Sequence, residues 1–137
     1  MTIIEYKNII FSDLHRYNPN ENQFLRFFLT VPGFQYSFWM RTARFLSDKK
    51  GFVIFILYIL TRYFLRRCMY KYQINIPFRT QIEKGLYIGH FGGIVVSPES
   101  RIGKNVNVNH GVTIGSTFGG KFPGSPTIGN NVYLGPG

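Results

Sequence analysis

Acidic side chains are scarce in this chain of 137 residues, with 6 Asp and Glu against 16 Lys and Arg, so the formal net charge is +10. The shortage excludes a preference for cationic partners and points to anionic ones. Between Lys49 and Ile82 there is no acid at all, while Lys49, Lys50, Arg62, Arg66, Arg67, Lys71 and Arg79 all fall there. A single cysteine, Cys68, excludes an internal disulfide framework, suits a reducing compartment, and reads as a packing residue among apolar and basic neighbours. The start "MTIIEYKNII" lacks the basic, apolar and small-residue order of a secretory signal, which sets a cytoplasmic expectation. No recognition motif for nucleic acid accompanies the positive charge, and no nucleic-acid partner is expected.

A long apolar run is missing too. The window "GFVIFILYILTRYFL", residues 51–65, is interrupted by Arg62 and falls short of the roughly 20 residues that span a bilayer. Two readings stay open for it: a helix buried in a helical subdomain, or a helix lying peripherally in a membrane interface, at the inner face, with Tyr, Arg and Lys at headgroup level.

What is present divides into two textures. Residues 1–72 are rich in Phe, Leu, Arg and Tyr at helical intervals and predict a basic helical subdomain. Ser12 in "SDLHRY" offers an N-cap, and a helix runs from Pro32-Gly33 towards a stop at Gly51 with Phe34, Phe38, Ala43 and Phe45 on its apolar side. From residue 73 the aromatic helices give way to Gly, Asn and isolated aliphatics.

The aliphatics keep a period of six: Ile76, Ile82, Ile88 and Ile94, then Ile102, Val108 and Ile114, then Ile128 and Leu134. Neither the helix period of about 3.6 nor the strand period of 2 produces six, whereas a triangular coil of short parallel strands with one inward aliphatic per side does. Glycines follow the aliphatics at 89, 103, 115, 129 and 135 and suit corners with positive φ. Phase slips place a two-residue insertion between Ile94 and Ile102 and an extruded loop between Ile114 and Ile128. The fold class is therefore α+β, residues 1–72 helical and 73–137 a parallel β-helix. The last coil, "NNVYLGPG", leaves an open edge, which suggests a C-terminally truncated β-helix.

His90 follows Ile88 by two and His110 follows Val108 by two, so the repeat stacks both histidines in one column, a coil apart. His110 reads equally as a stacking element and as a site residue. The segment "GSTFGGKFPGSPT", residues 115–127, with Gly119, Gly120 and Lys121 at its middle, reads either as a flexible flap or as an ordinary solvated loop. It lacks the Gly-Lys-Ser/Thr ending of a P-loop.

"HFGGIVVSPESRIGKNVNVNHGVTIG" and "STFGGKFPGSPTIGNNVYLGPG" resemble the hexapeptide-repeat acyltransferases, in particular the serine acetyltransferase-like branch, which includes enzymes that acetylate sugars in bacterial surface polysaccharide assembly. The resemblance implies a left-handed β-helix, acetyl-CoA as co-substrate in a groove between subunits of a homotrimer with Gly119, Gly120 and Lys121 of the flap at the CoA and Lys121 towards its phosphates, no metal, and a histidine base, which by motif position is His90. The family aspartate that orients this base, fifteen residues upstream, is Asn75 here. An amide oxygen can accept the imidazole N–H but brings no charge. In serine acetyltransferases the flap ends in a histidine preceded closely by an acid, and another acid precedes the base. Those positions are Ser125, Pro123 and Gly89 here, which turns the expected acceptor from serine towards a sugar hydroxyl. Serine O-acetylation and a non-catalytic β-helix scaffold remain the alternatives.

Overall fold

The computed structural model describes residues 1–19 and 22–137. Helix α1 (Ile3–His15) begins at Thr2, whose hydroxyl accepts from the Glu5 N–H while the Glu5 carboxylate accepts from the Thr2 N–H. This reciprocal capping box outcompetes Ser12, which lies inside the helix. Helix α2 (Phe24–Thr30) is short, and α3 (Pro32–Ser47) starts with Pro32 in its first turn, where no N–H is needed. Gly51, at φ 128°, leads into α4 (Phe52–Tyr72) instead of closing α3, because α3 has already ended at Ser47. Gln73 caps α4 in the left-handed conformation.

Nine short strands follow: β1 (Ile74–Asn75), β2 (Gln81–Ile82), β3 (Tyr87–Ile88), β4 (Ile94–Val96), β5 (Arg101–Ile102), β6 (Asn107–Val108), β7 (Thr113–Ile114), β8 (Thr127–Ile128) and β9 (Tyr133–Leu134). They pair in parallel as three sheets, β1-β4-β7, β2-β5-β8 and β3-β6-β9, which form the sides of a triangular coil. The six-residue period is thus one side per repeat. Ile88 pairs with Val108 and Val108 with Leu134, while Ile102 pairs with Ile82 and Ile128, so the aliphatics stack along the axis.

Two details differ from the sequence expectation. Val96 pairs with Ile114, so Val96 and not Ile94 continues the phase to Ile102, and the two extra residues lie in the corner between β3 and β4. The glycines that follow the aliphatics do not carry the positive φ angles. Positive φ falls instead on Gly85, Asn105 and Asn131 at one corner, one above the other, with φ of 83°, 55° and 57°, and on Gly93, Gly111 and Gly137 at another, with φ of 64°, 76° and 91°. Gly103 is needed for close approach: a Cβ there would lie 2.4 Å from Asn130 Oδ1.

The helices close the lower end of the coil, which would otherwise expose unpaired N–H and C=O groups on all three sides. On the β1 side, the Tyr36 hydroxyl donates to Ile76 O and accepts from Ile76 N, both at 2.9 Å. On the β2 side, Arg41 donates to Ile82 O at 2.6 Å and Glu83 O at 2.7 Å. On the β3 side, the Tyr17 hydroxyl donates to Ile88 O at 3.2 Å and accepts from Ile88 N at 2.8 Å. Asp13, fully buried, completes the closure by accepting from Gly85 N and Leu86 N at 2.8 and 2.9 Å, and from Ser37 Oγ and Arg41 Nε at 2.7 and 3.0 Å. Burial pushes the Tyr36 phenol up to about 12 and raises that of Tyr17 further. One continuous apolar core runs from Tyr36, Met40, Leu65 and Cys68 in the helices to the stacked aliphatics of the coil. Cys68 is buried in that core, and burial raises its thiol pKa.

Candidate active site

The β3–β4 corner carries the first histidine. Gly89, His90, Phe91, Gly92 and Gly93 make the turn, with Gly92 and Gly93 at φ 111° and 64°. This corner is two residues longer than the corresponding one in the next coil, and it presents His90 and Phe91 to solvent. Phe91 sets its ring edge-on to Tyr72, with centroids 5.4 Å apart. Tyr17 holds the backbone of Ile88, two residues before His90, so the strand leading into the corner is anchored to α1's C-terminal extension.

One coil up, Asn109 and His110 occupy the same corner. Asn109 is buried and donates through Nδ2 to Leu134 O at 2.9 Å. His110 points outward, and its ring lies 6.1 Å from that of His90, nearly perpendicular at 80°. The column deduced from the repeat is therefore formed. Gly89 sits beneath Asn109: a Cβ at 89 would lie 2.9 Å from Asn109 Oδ1 and 2.9 Å from Tyr87 Cε1. A larger residue before His90 is excluded by that carboxamide unless Asn109 moves.

Asn75 lies exposed on the outer face of β1, beside Val95 of β4. Among the described residues it makes no side-chain hydrogen bond to His90, so the chain by itself does not bring the two together. The flap leaves β7 at the opposite edge of the β1-β4-β7 sheet from the histidine corner. It is a small hairpin closed by Thr117 and Gly124, whose N–H and C=O groups pair at 2.9 and 2.8 Å. Phe118 and Phe122 at its tip are 101% and 81% exposed, and Lys121 rests on the Phe122 ring with Nζ 5.3 Å from the centroid. Gly119 and Gly120 are exposed beside it. Ser125 is committed to the base of the hairpin: its hydroxyl lies 2.6 Å from that of Ser116 and 3.0 Å from that of Ser97, which is itself 2.7 Å from Ser116. Within one chain, then, His90 and His110 are brought together, whereas Lys121, Gly119, Gly120 and Ser125 stand at another corner.

Sequence reasoning missed Tyr17 and Asn109, which position this corner from below and above. Tyr17 lies 71 residues from Ile88, and no local signal connects them; Asn109, next to a histidine singled out by phase, was detectable from its place in the repeat. Among the described residues no group of three His, Cys, Asp or Glu side chains could hold a metal. A cleft of about 610 Å³ lies away from the histidines, between α1, α3 and the outer face of the β2-β5-β8 sheet, with Tyr6, Met40, Arg44 and Arg101 among its walls.

No protein-family model matches the chain. Among curated proteins it is similar to the serine acetyltransferase of Helicobacter pylori, 33% identical over 111 residues, which are 80% of this chain and 60% of the relative. The serine acetyltransferase of Staphylococcus xylosus is 35% identical over 80 residues, 58% of this chain and 37% of that protein. Among solved structures, soybean serine acetyltransferase complexed with serine superposes with a TM-score of 0.74 at 25% identity, covering 98% of this chain and 54% of that one. The Brucella abortus serine acetyltransferase gives 0.72 at 25% identity, covering 98% and 54%. The helical part followed by three parallel sheets is therefore the left-handed β-helix architecture of these enzymes. The chain spans 60% of the length of the Helicobacter relative and 54% of the soybean one.

Proposed function

We propose that this chain is the core of an acetyl-CoA-dependent O-acetyltransferase that uses the hydroxyl of serine as acceptor. The observation that carries the proposal is the exposed His90–His110 column on a coil whose architecture is that of serine acetyltransferases. A neutral imidazole at His90 removes the acceptor's hydroxyl proton as the oxygen attacks the thioester carbonyl of acetyl-CoA. The C–S bond then breaks, the CoA sulfur takes up the proton held by His90, and the acetyl ester is released. His110 stands over His90 in the same column, while Tyr17 holds the backbone of Ile88 below and Asn109 that of Leu134 above.

The separation of the flap from His90 within one chain suits a site completed between copies in a homotrimer, with Lys121, Gly119 and Gly120 offered to acetyl-CoA across the subunit boundary. Asn75, as an uncharged partner, orients the imidazole only when substrate or a neighbouring copy draws the two together.

A second reading, acetylation of a sugar hydroxyl in polysaccharide assembly, is favoured by Gly89, Pro123 and Ser125. These positions offer no charge to a zwitterion, Ser125 is occupied by Ser97 and Ser116, and exposed Phe118 and Phe122 present flat apolar faces. Steady-state CoA release with L-serine and with a panel of pyranosides separates the two. Saturable turnover with L-serine is the expected result. Saturable turnover with a pyranoside while serine stays inert replaces the first reading by the second, and acetyl-CoA binding without turnover of any hydroxyl leaves only a scaffold.

A further inference from the structure

We propose that α4 docks the protein on an anionic membrane surface, lying in the interface with its outer face among the lipid headgroups and upper acyl chains. The proposal goes beyond the acetyltransferase reading and does not depend on the acceptor.

Helix α4 buries one narrow stripe, Thr61, Leu65, Cys68 and Tyr72, against the rest of the protein. Within one chain its first half, read above either as a buried helix or as an interface helix, is thus largely exposed. Phe52, Val53, Phe55, Ile59, Leu60 and Tyr63 are each between 50% and 78% exposed. Apolar exposure this contiguous on one helix marks an interaction surface. No helix among the described residues is long and apolar enough to cross a membrane, so the face can lie on a bilayer but not span it.

The second half of the helix decides which partner fits. Arg62, Arg66 and Arg67 donate to the hydroxyls of Tyr58, Tyr70 and Tyr63 at 3.0, 3.3 and 3.2 Å, each guanidinium also within 6 Å of the same ring. Three Tyr–Arg pairs next to an apolar segment are amphipathic side chains with apolar stems and polar ends, suited to the water–lipid boundary. Lys49 and Lys50 bracket the apolar segment at its other end, and no acid occurs between positions 49 and 82. A second copy placed face to face would set these cations against their own kind, whereas phosphate-bearing headgroups supply the missing negative charge. Each basic residue at such a surface contributes about 1 kcal/mol.

The single tryptophan gives an internal probe, since Trp39 stacks on Phe64 of α4 with centroids 4.8 Å apart. The full chain is mixed with vesicles of phosphatidylcholine containing about a third phosphatidylglycerol, or of phosphatidylcholine alone, in low salt and in about 0.5 M salt. Co-sedimentation and quenching of Trp39 by brominated lipid are expected with the anionic vesicles, and both should fall with salt. Arg66→Gln with Arg67→Gln should weaken partitioning about 30-fold, the equivalent of two charges. Ile56→Ser with Ile59→Ser, at exposed sites that leave folding intact, should abolish the quenching. Absence of binding to anionic vesicles in low salt overturns the proposal, as does binding that neither pair of substitutions changes. Self-association that Ile56→Ser with Ile59→Ser removes, in a protein without vesicle affinity, assigns the face to a second copy and overturns it equally.

Discussion

Replacing Asp13 by Ala tests how the helices hold the β-helix. The carboxylate is fully buried and accepts from Ser37, from Arg41 and from the N–H groups of Gly85 and Leu86. Its loss leaves two buried backbone donors without a partner and a buried guanidinium without its counter-charge. Arg41 keeps its bonds to Ile82 O and Glu83 O, so it stays in place while its charge is uncompensated. Removing one member of a buried ion pair costs about 3–5 kcal/mol, a large share of the roughly 5–15 kcal/mol that a domain has. For a chain of this size that corresponds to a melting temperature lowered by about 10–20 °C. Ser37→Ala, which removes one neutral donor from the same carboxylate, should cost only about 1 kcal/mol. Thermal and urea unfolding followed by circular dichroism read both variants. If Asp13→Ala loses less than about 1 kcal/mol, or no more than Ser37→Ala, the carboxylate is not the bolt between the two parts and the closure rests on packing alone.

Tyr36→Phe removes both bonds to Ile76 and should destabilise by about 2–4 kcal/mol in urea unfolding, one buried donor and one buried acceptor being left unpaired. Because the folded state raises the Tyr36 phenol from 10.0 to about 12, its contribution is complete below pH 10 and is lost as pH rises through 12. The wild type should therefore lose about 3 kcal/mol more than Tyr36→Phe across that interval. Gly33→Ala should destabilise by about 1–3 kcal/mol or more, since its Cβ would lie 2.3 Å from Ile88 O and force the coil away from α3; an unchanged melting temperature contradicts that contact. Ser116→Ala should loosen the flap and speed proteolytic cleavage within residues 115–127, with the melting temperature nearly unchanged; a cleavage rate equal to wild type shows that the serine cluster does not hold the hairpin.

The coil was legible because its period of six belongs to no other regular structure, and because Ile88 and Val108 set the two histidines in phase without reference to any contact. The insertion was placed on the wrong side of Ile94 because Ile94 and Val96 both point inward, and spacing alone cannot say which one keeps the register. The corner glycines were misassigned for a related reason: Asn105 and Asn131 tolerate left-handed backbone through their short polar side chains, so the positive φ did not need the glycines that looked made for it. The closure of the lower edge was invisible. Asp13, Tyr17, Tyr36 and Arg41 reach residues of the first coil 40–73 positions away, and nothing local distinguishes them from their neighbours in the helical part. The exposed face of α4 was half legible, since its composition allowed either burial or an interface, and only packing decides how narrow the buried stripe is.

The central claim, that His90 is the base of an acetyl transfer, is tested most directly by steady-state CoA release from acetyl-CoA with L-serine, wild type against His90→Ala. Turnover should fall by about 10²–10⁴-fold, with acetyl-CoA affinity and melting temperature close to wild type. A folded His90→Ala protein that binds acetyl-CoA and releases CoA at the wild-type rate would contradict the account.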